Sequence, residues 1–204
     1  MYPTRLERLR QIARQAGLDA IALVPGPNLV YLTGVPFHLM ERLVVGVFPA
    51  SGEPVVILPE LERFKLAEEP PFPLRLYSYS DADGPDGAFA EALAAFPLAG
   101  RAVGVEGLRM RVAESEALSR HAPGVRIVDA TEPLAGLRLH KQEAEIAAMR
   151  QAIAVSEAAL GEVVAAVQVG MSERQIANEL LIAMLRRSGG GLPFEPIVLT
   201  GPNS

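Results

Sequence analysis

Leu43-Val44-Val45-Gly46-Val47-Phe48, then Pro49-Ala50-Ser51-Gly52, then Glu53-Pro54-Val55-Val56-Ile57-Leu58 follow one another without interruption. Two runs rich in β-branched residues, split by a cluster of turn formers, predict a β-hairpin. Both runs are apolar. Around them the pattern changes period. Upstream, Leu6, Leu9, Ile12, Ala13 and Ala16 recur at helical spacing. Thr4 and Glu7 have capping-box spacing and Gly17 suits a C-cap, so a helix is expected over 4–16. Ala20-Ile21-Ala22-Leu23-Val24 then reads as a short buried strand stopped by Pro25-Gly26-Pro27.

Downstream, Leu74-Arg75-Leu76-Tyr77 reads as a strand. Helical stretches near 86–96 and 111–121 alternate with the strands Val103-Gly104-Val105-Glu106 and Val125-Arg126-Ile127-Val128. Together these predict an α/β domain, a mixed sheet flanked by helices, over residues 1–134. From Gln142 the character shifts. Ile146, Met149, Ile153, Leu160, Val163, Val164 and Val167 mark one long helix closed by Gly170. Ser172-Glu173-Arg174-Gln175 opens a second, carrying Ile176, Leu180, Leu181, Met184 and Leu185 and stopped by Gly189-Gly190-Gly191. Pro196-Ile197-Val198-Leu199-Thr200 reads as a strand and Gly201-Pro202-Asn203-Ser204 as a turn. Two long helices need a sheet to cover, and one strand does not supply it. Residues 135–204 are therefore expected to open a second, truncated domain.

Composition narrows the function classes. The chain has 204 residues, half of them hydrophobic and 21% charged, which suits a packed core. A net charge of -5 and no basic stripe argue against a nucleic-acid partner. No apolar run approaches the roughly 18–20 residues of a membrane span, and the N-terminus lacks a signal-peptide core, so a cytoplasmic protein is expected. With no cysteines, disulfides, thiolate zinc sites and cysteine nucleophiles are excluded. With three histidines, a metal site built from this chain alone would need carboxylates.

Most polar clusters have structural readings. Asp81-Ala82-Asp83-Gly84-Pro85-Asp86-Gly87 fails as a calcium loop, because Pro85 takes a ligand position and Ala92 stands where a glutamate is needed. Glu143 and Glu145, near His140, suit the first turn of a helix, and His121 suits the end of one. Ser188-Gly189-Gly190-Gly191 ends a helix and does not open one, so it reads as a cap, not a phosphate cradle. The segment Asn28 to Arg42 reads as a surface loop. Within it His38, Glu41 and Arg42 can together bind an anionic group or a peptide terminus.

Three segments carry a resemblance. Asn28-Leu29-Val30-Tyr31-Leu32-Thr33-Gly34, followed by Glu41-Arg42 and Leu58-Pro59-Glu60-Leu61-Glu62, is the first. Leu137 to Ile146, with Met149-Arg150, is the second. Gly170-Met171-Ser172-Glu173, Ile176-Ala177, Gly191 to Val198 and Gly201-Pro202-Asn203-Ser204 form the third. In this order they resemble the creatinase, prolidase and aminopeptidase P group across essentially the whole chain. The resemblance implies a two-domain subunit, usually a dimer or tetramer, with a pita-bread α+β catalytic domain. It implies two divalent metals (manganese, cobalt or zinc) held by two aspartates, a histidine and two glutamates. Their bridging hydroxide attacks the peptide carbonyl before proline. No residue of this chain matches a metal ligand or catalytic histidine of the group, so none is assigned and the fragment alone is expected to be inactive and metal-free. By resemblance Phe194 lines the substrate pocket, and His38 and Arg42 sit on a loop that in some members reaches a neighbouring subunit's site. Two other readings stay open: a non-catalytic binding protein retaining the fold, and a creatinase-like hydrolase of a non-peptide C–N bond.

Overall fold

The computed structural model describes residues 1–189 and 194–204. Gly190 and Gly191 of the expected helix stop, and Gly191-Leu192-Pro193 of the third resembling segment, lie outside the described residues. The chain divides into two compact units, Met1–His140 and Lys141–Ser204.

In the first unit, helix α1 (Tyr2–Gln15) leads into strand β1 (Ala20–Leu23), helix α2 (Pro27–Thr33) and the hairpin β2 (Val45–Pro49) and β3 (Val55–Pro59). A 3-10 turn (Glu60–Glu62) and the short helix α3 (Phe64–Ala67) precede β4 (Arg75–Tyr79). Helix α4 (Asp86–Ala95), β5 (Ala102–Val105), α5 (Val112–His121), β6 (Arg126–Asp129) and α6 (Thr131–Leu139) complete it. Among the described residues the six strands form one sheet in the order β4-β3-β2-β1-β5-β6. The hairpin is antiparallel, and β2 runs antiparallel to β1. The pairs β3–β4, β1–β5 and β5–β6 are parallel.

The apolar runs are buried on both faces of the sheet. On β1, β2 and β3, alternate side chains enter separate cores. Ile21, Leu23, Phe48, Val56 and Leu58 pack with α1, α2 and α6. Ala20, Ala22, Val45, Val47 and Ile57 pack with α4 and α5. Phe48 and Phe89 are the largest fully buried side chains, one in each core. At about 25 cal/mol per Å² of apolar surface, each such aromatic contributes roughly 2–3 kcal/mol.

Several expectations shift. Helix α1 starts at Tyr2, not Thr4, and Thr4 caps nothing: Met1 is the N-cap and Pro3 occupies the first turn, where its missing N–H costs no bond. The segment from Asn28 is not all loop. Pro27 initiates α2, and Gly34 closes it in the left-handed region at φ 75°, with the Tyr2 hydroxyl packed against it. Leu29 and Leu32 bury its inner face. Helix α6 contributes Leu134 and Leu137 to the first core, and the first compact unit runs to His140.

In the second unit, α7 (Glu143–Ala166) and α8 (Glu173–Ser188) pack through Ala159, Val163 and Ala183. Gln142 and Glu145 form a capping box at the start of α7. Ser172 caps α8, accepting from Gln175 N at 3.3 Å, while Gln175 Oε1 accepts from Ser172 N at 2.8 Å. Gly189 ends α8 in the left-handed region at φ 64°. Residues 196–200, expected as a strand, join no sheet among the described residues, although Thr200 is extended (φ -149°, ψ 154°). A strand without a neighbour has no ladder to stabilise it. Glu173 instead fixes this segment, accepting from Thr200 N at 2.7 Å and Asn203 Nδ2 at 3.1 Å.

Candidate functional site

His38 and Arg42 lie on the connection between α2 and β2. Arg42 forks onto Asp81, donating Nε to Oδ1 at 2.7 Å and Nη2 to Oδ2 at 2.6 Å, and donates Nη1 to Glu41 at 3.1 Å. These bonds raise the Arg42 guanidinium above its ordinary range and hold Asp81 below the usual carboxylate range. The connection is tied down twice more. Arg111 Nη1 donates to Met40 O at 2.6 Å, and Tyr79 donates its hydroxyl to Leu43 O at 2.9 Å. Burial pushes the Tyr79 phenol up. Arg111 is itself held by Glu114, whose side chain is fully buried. Thus Glu41 and Arg42 meet as expected, while His38 stands exposed outside their hydrogen-bonded cluster. The bidentate edge of Arg42 is filled by the Asp81 carboxylate.

Phe194 belongs to the second unit and is 73% exposed. It rims a groove of about 660 Å³ along α7 and α8, lined by Ala152, Val155, Leu160, Leu180 and Met184. The lining is largely apolar, which suits hydrophobic side chains of a ligand or of more protein.

A third arrangement escaped the sequence reading, where Glu106 was only the end of a strand. Glu106 follows β5 and is 7% exposed. Its Oε1 accepts from Asn28 Nδ2 at 3.0 Å, and Arg138 Nε donates to Asn28 Oδ1 at 2.8 Å. Its other oxygen, Oε2, is buried with no hydrogen-bond partner. Burial raises the Glu106 carboxyl above its ordinary range against the opposing pull of Asn28, Arg109 and the Val24 backbone; the Val24 group completes no bond of normal geometry to Oε2. Glu106, Arg109, Thr131 and Arg138 surround a pocket of about 260 Å³. A lone buried polar group is invisible to periodicity. The available signal was a glutamate directly abutting an apolar strand.

No group of three or more His, Cys, Asp or Glu side chains converges among the described residues, so the residues present do not form a donor set for the implied divalent metals. No described helix is long and apolar enough to cross a membrane.

A mixed sheet covered by helices on both faces, followed by a capped helix pair, defines the class: an α/β domain leading into a helical unit. The chain belongs to the creatinase/prolidase group: the Creatinase/Prolidase N-terminal domain matches residues 5–140, and Metallopeptidase family M24 matches 147–204. It is 31% identical, over its whole length, to a probable dipeptidase PepE of Mycobacterium tuberculosis, covering 53% of that protein. A putative dipeptidase YkvY of Bacillus subtilis is 24% identical over 98% of the chain, which covers 55% of it. Among solved structures, a recombinant prolidase from Thermococcus sibiricus is similar over all of the chain and 55% of its own (TM-score 0.87, 26% identity). Dipeptidase PepE from Mycobacterium ulcerans is similar over 91% of this chain and 49% of its own (TM-score 0.75, 32% identity). The chain thus spans about half the length of the relatives it matches.

Proposed function

We propose that this chain is part of a metal-dependent peptidase that hydrolyses the peptide bond before proline, with residues 1–134 as its N-terminal domain and 135–204 as the opening of its catalytic domain. The observation that carries the reading is the ordered pair of matches, a creatinase/prolidase N-terminal domain over 5–140 and the M24 metallopeptidase family over 147–204. Relatives named as dipeptidases and a prolidase support a peptide substrate. Family membership supports divalent metal use, with manganese, cobalt or zinc as the ions to try. The described residues bring no donor set together, so no catalytic step is derived from them, and residues 1–204 alone are expected to be inactive. Within this reading the whole protein is a cytoplasmic homodimer. Phe194 borders the substrate pocket, and His38 and Arg42 face a peptide terminus at a subunit boundary.

The test compares residues 1–204 with the whole protein on an Xaa-Pro dipeptide and on a longer Xaa-Pro peptide, with added manganese or cobalt and after chelation. Activity of the whole protein that chelation abolishes, with none from 1–204, supports the reading. Chelator-insensitive turnover by purified 1–204 refutes it. In the active protein, R42Q is expected to raise KM with little change in melting temperature, since an exposed ion pair adds little to stability.

A further inference from the structure

The strand order places one location apart from the rest of the sheet. From β1 the chain moves outward through β2, β3 and β4, then returns to the other side of β1 to lay down β5 and β6. The order therefore reverses between β1 and β5, which are parallel neighbours. In open α/β sheets, the crevice outside the carboxyl ends of strands at such a reversal is where ligands bind. Asn28 follows β1, Glu106 follows β5 and Thr131 follows β6, so all three stand at that edge.

The side chains there are built as a receptor. Glu106 is more than nine-tenths buried and lines the pocket, with Oε2 unpartnered. Leaving a buried acceptor unpaired is costly unless something donates to it. Arg109 folds back over Gly26: a Cβ there would lie 3.0 Å from Arg109 Cδ and 3.1 Å from its Nε. The turn that aims Arg109 is set by Arg109 N and Met110 N, each donating to Glu106 O at 2.8 Å. Arg138 enters from α6 and is oriented by Asn28. On the far rim Asp129 accepts from Thr131 Oγ1 at 2.6 Å and from Gly107 N at 3.2 Å, fixing the wall.

We propose that this pocket binds a free α-amino acid, with the ammonium against the Glu106 carboxylate and the carboxylate lying against the guanidinium groups of Arg109 and Arg138. The charges select the ligand class. A simple cation meets two guanidinium groups, and a simple anion meets a buried carboxylate. A small zwitterion satisfies both. The volume, about 260 Å³, falls below the roughly 300–1,000 Å³ of drug-sized sites. The site lies wholly in the first unit and does not depend on the peptidase reading.

The chain of residues 1–204 is titrated with glycine and L-alanine, followed by amide NMR shifts, with methylammonium and acetate as half-ligands. Saturable shifts at Asn28 and Glu106 are expected, with the half-ligands weaker by on the order of 10- to 100-fold. E106Q and R109Q should each weaken glycine binding by a similar factor. Circular dichroism establishes that the variants fold; should E106Q fail, exposed Arg109 carries the test. Absence of saturable shifts up to ~10 mM overturns the proposal and leaves the pocket to water alone. So does acetate binding as tightly as glycine, or unchanged binding by folded R109Q.

Discussion

Replacing Glu114 with alanine should destabilise the first unit and loosen the connection that carries His38 and Arg42. Glu114 sits in the first turn of α5 with a fully buried side chain. It accepts from Arg111 N at 3.1 Å and Nε at 2.9 Å, and pairs with Nη2 as well. Arg111 in turn holds Met40 O. E114A removes a bond at the helix start and strands a guanidinium. Breaking a buried pair on one side costs about 3–5 kcal/mol. The Arg111 side chain is 36% exposed and can turn to water, so the expected loss is smaller, about 2–3 kcal/mol. For a unit of this size that is a fall in Tm of roughly 5–10 °C. Tyrosine fluorescence is a clean probe, because Tyr2, Tyr31, Tyr77 and Tyr79 all lie in the first unit and the chain has no tryptophan. Urea unfolding gives the free energy, and limited proteolysis within 38–44 reports the loosened connection. Substituting both partners, Arg111→Met with Glu114→Leu, should recover most of the loss, since no charge is then left unpaired. A folded E114A within about 0.5 kcal/mol of the unaltered chain, with unchanged proteolysis, would refute the reasoning.

Two further outcomes follow from close packing and from ionisation. Gly104 on β5 has no room for a methyl group: its Cβ would lie 2.6 Å from Leu18 Cδ1 and 2.8 Å from Ala130 Cβ. G104A should cost about 1–3 kcal/mol by overpacking, read from the same urea transition. On acidification, Asp19 loses stabilisation, because Ala102 N and Arg101 hold its carboxyl below the ordinary range in the folded chain. A lowered folded-state pKa gives stability that is present at neutral pH and lost as pH falls through that lowered value. The Tm should therefore drop on the acid side of about pH 4, and D19N should flatten that drop; an unchanged acid profile in D19N counts against the assignment.

The centre of the sheet was legible because β1, β2 and β3 are apolar throughout and buried. Val44 to Phe48 and Val55 to Leu58 are strand-like apolar runs, and Ala50 to Gly52 turn between them. The helices beginning at Asp86, Val112 and Glu173 lie where the sequence places them, the last with the capping box expected at Ser172. Helix α2 was missed despite Pro27 and Gly34 marking its ends, because seven residues are too short to establish a period. The expected strand over 196–200 failed for the opposite reason. Its composition is strand-like, but strand formation depends on a neighbour that propensity does not contain. The candidate sites were less legible still. Arg42 was visible as a charge, but its partner Asp81 is 39 residues away. Glu106 depends on Asn28 and Arg138, from two other elements. Such pairings arise from strand order, which single-sequence patterns do not encode.

The two buried glutamates of the first unit sharpen what Glu106 means. Glu114 shows how this chain buries a carboxylate for structure: both oxygens are used, by a backbone N–H and by a guanidinium fork. Glu106 uses one oxygen and leaves the other idle. Burial raises the Glu106 carboxyl above its ordinary range. A carboxyl whose folded pKa lies above its unfolded value contributes most below the unfolded pKa and loses that contribution as pH rises. At neutral pH Glu106 is therefore a cost to the fold where Glu114 is a support. E106Q should leave stability at pH 7 unchanged or higher, because the amide oxygen still accepts from Asn28 and no charge is buried. E114Q should lower it, because the charged fork with Arg111 is lost. If E106Q instead destabilises the unit as strongly as E114Q, then Glu106 is structural and its free oxygen has no ligand to explain. A cost kept at one buried carboxylate and avoided at the other accords with the ligand site proposed at the edge between β1 and β5.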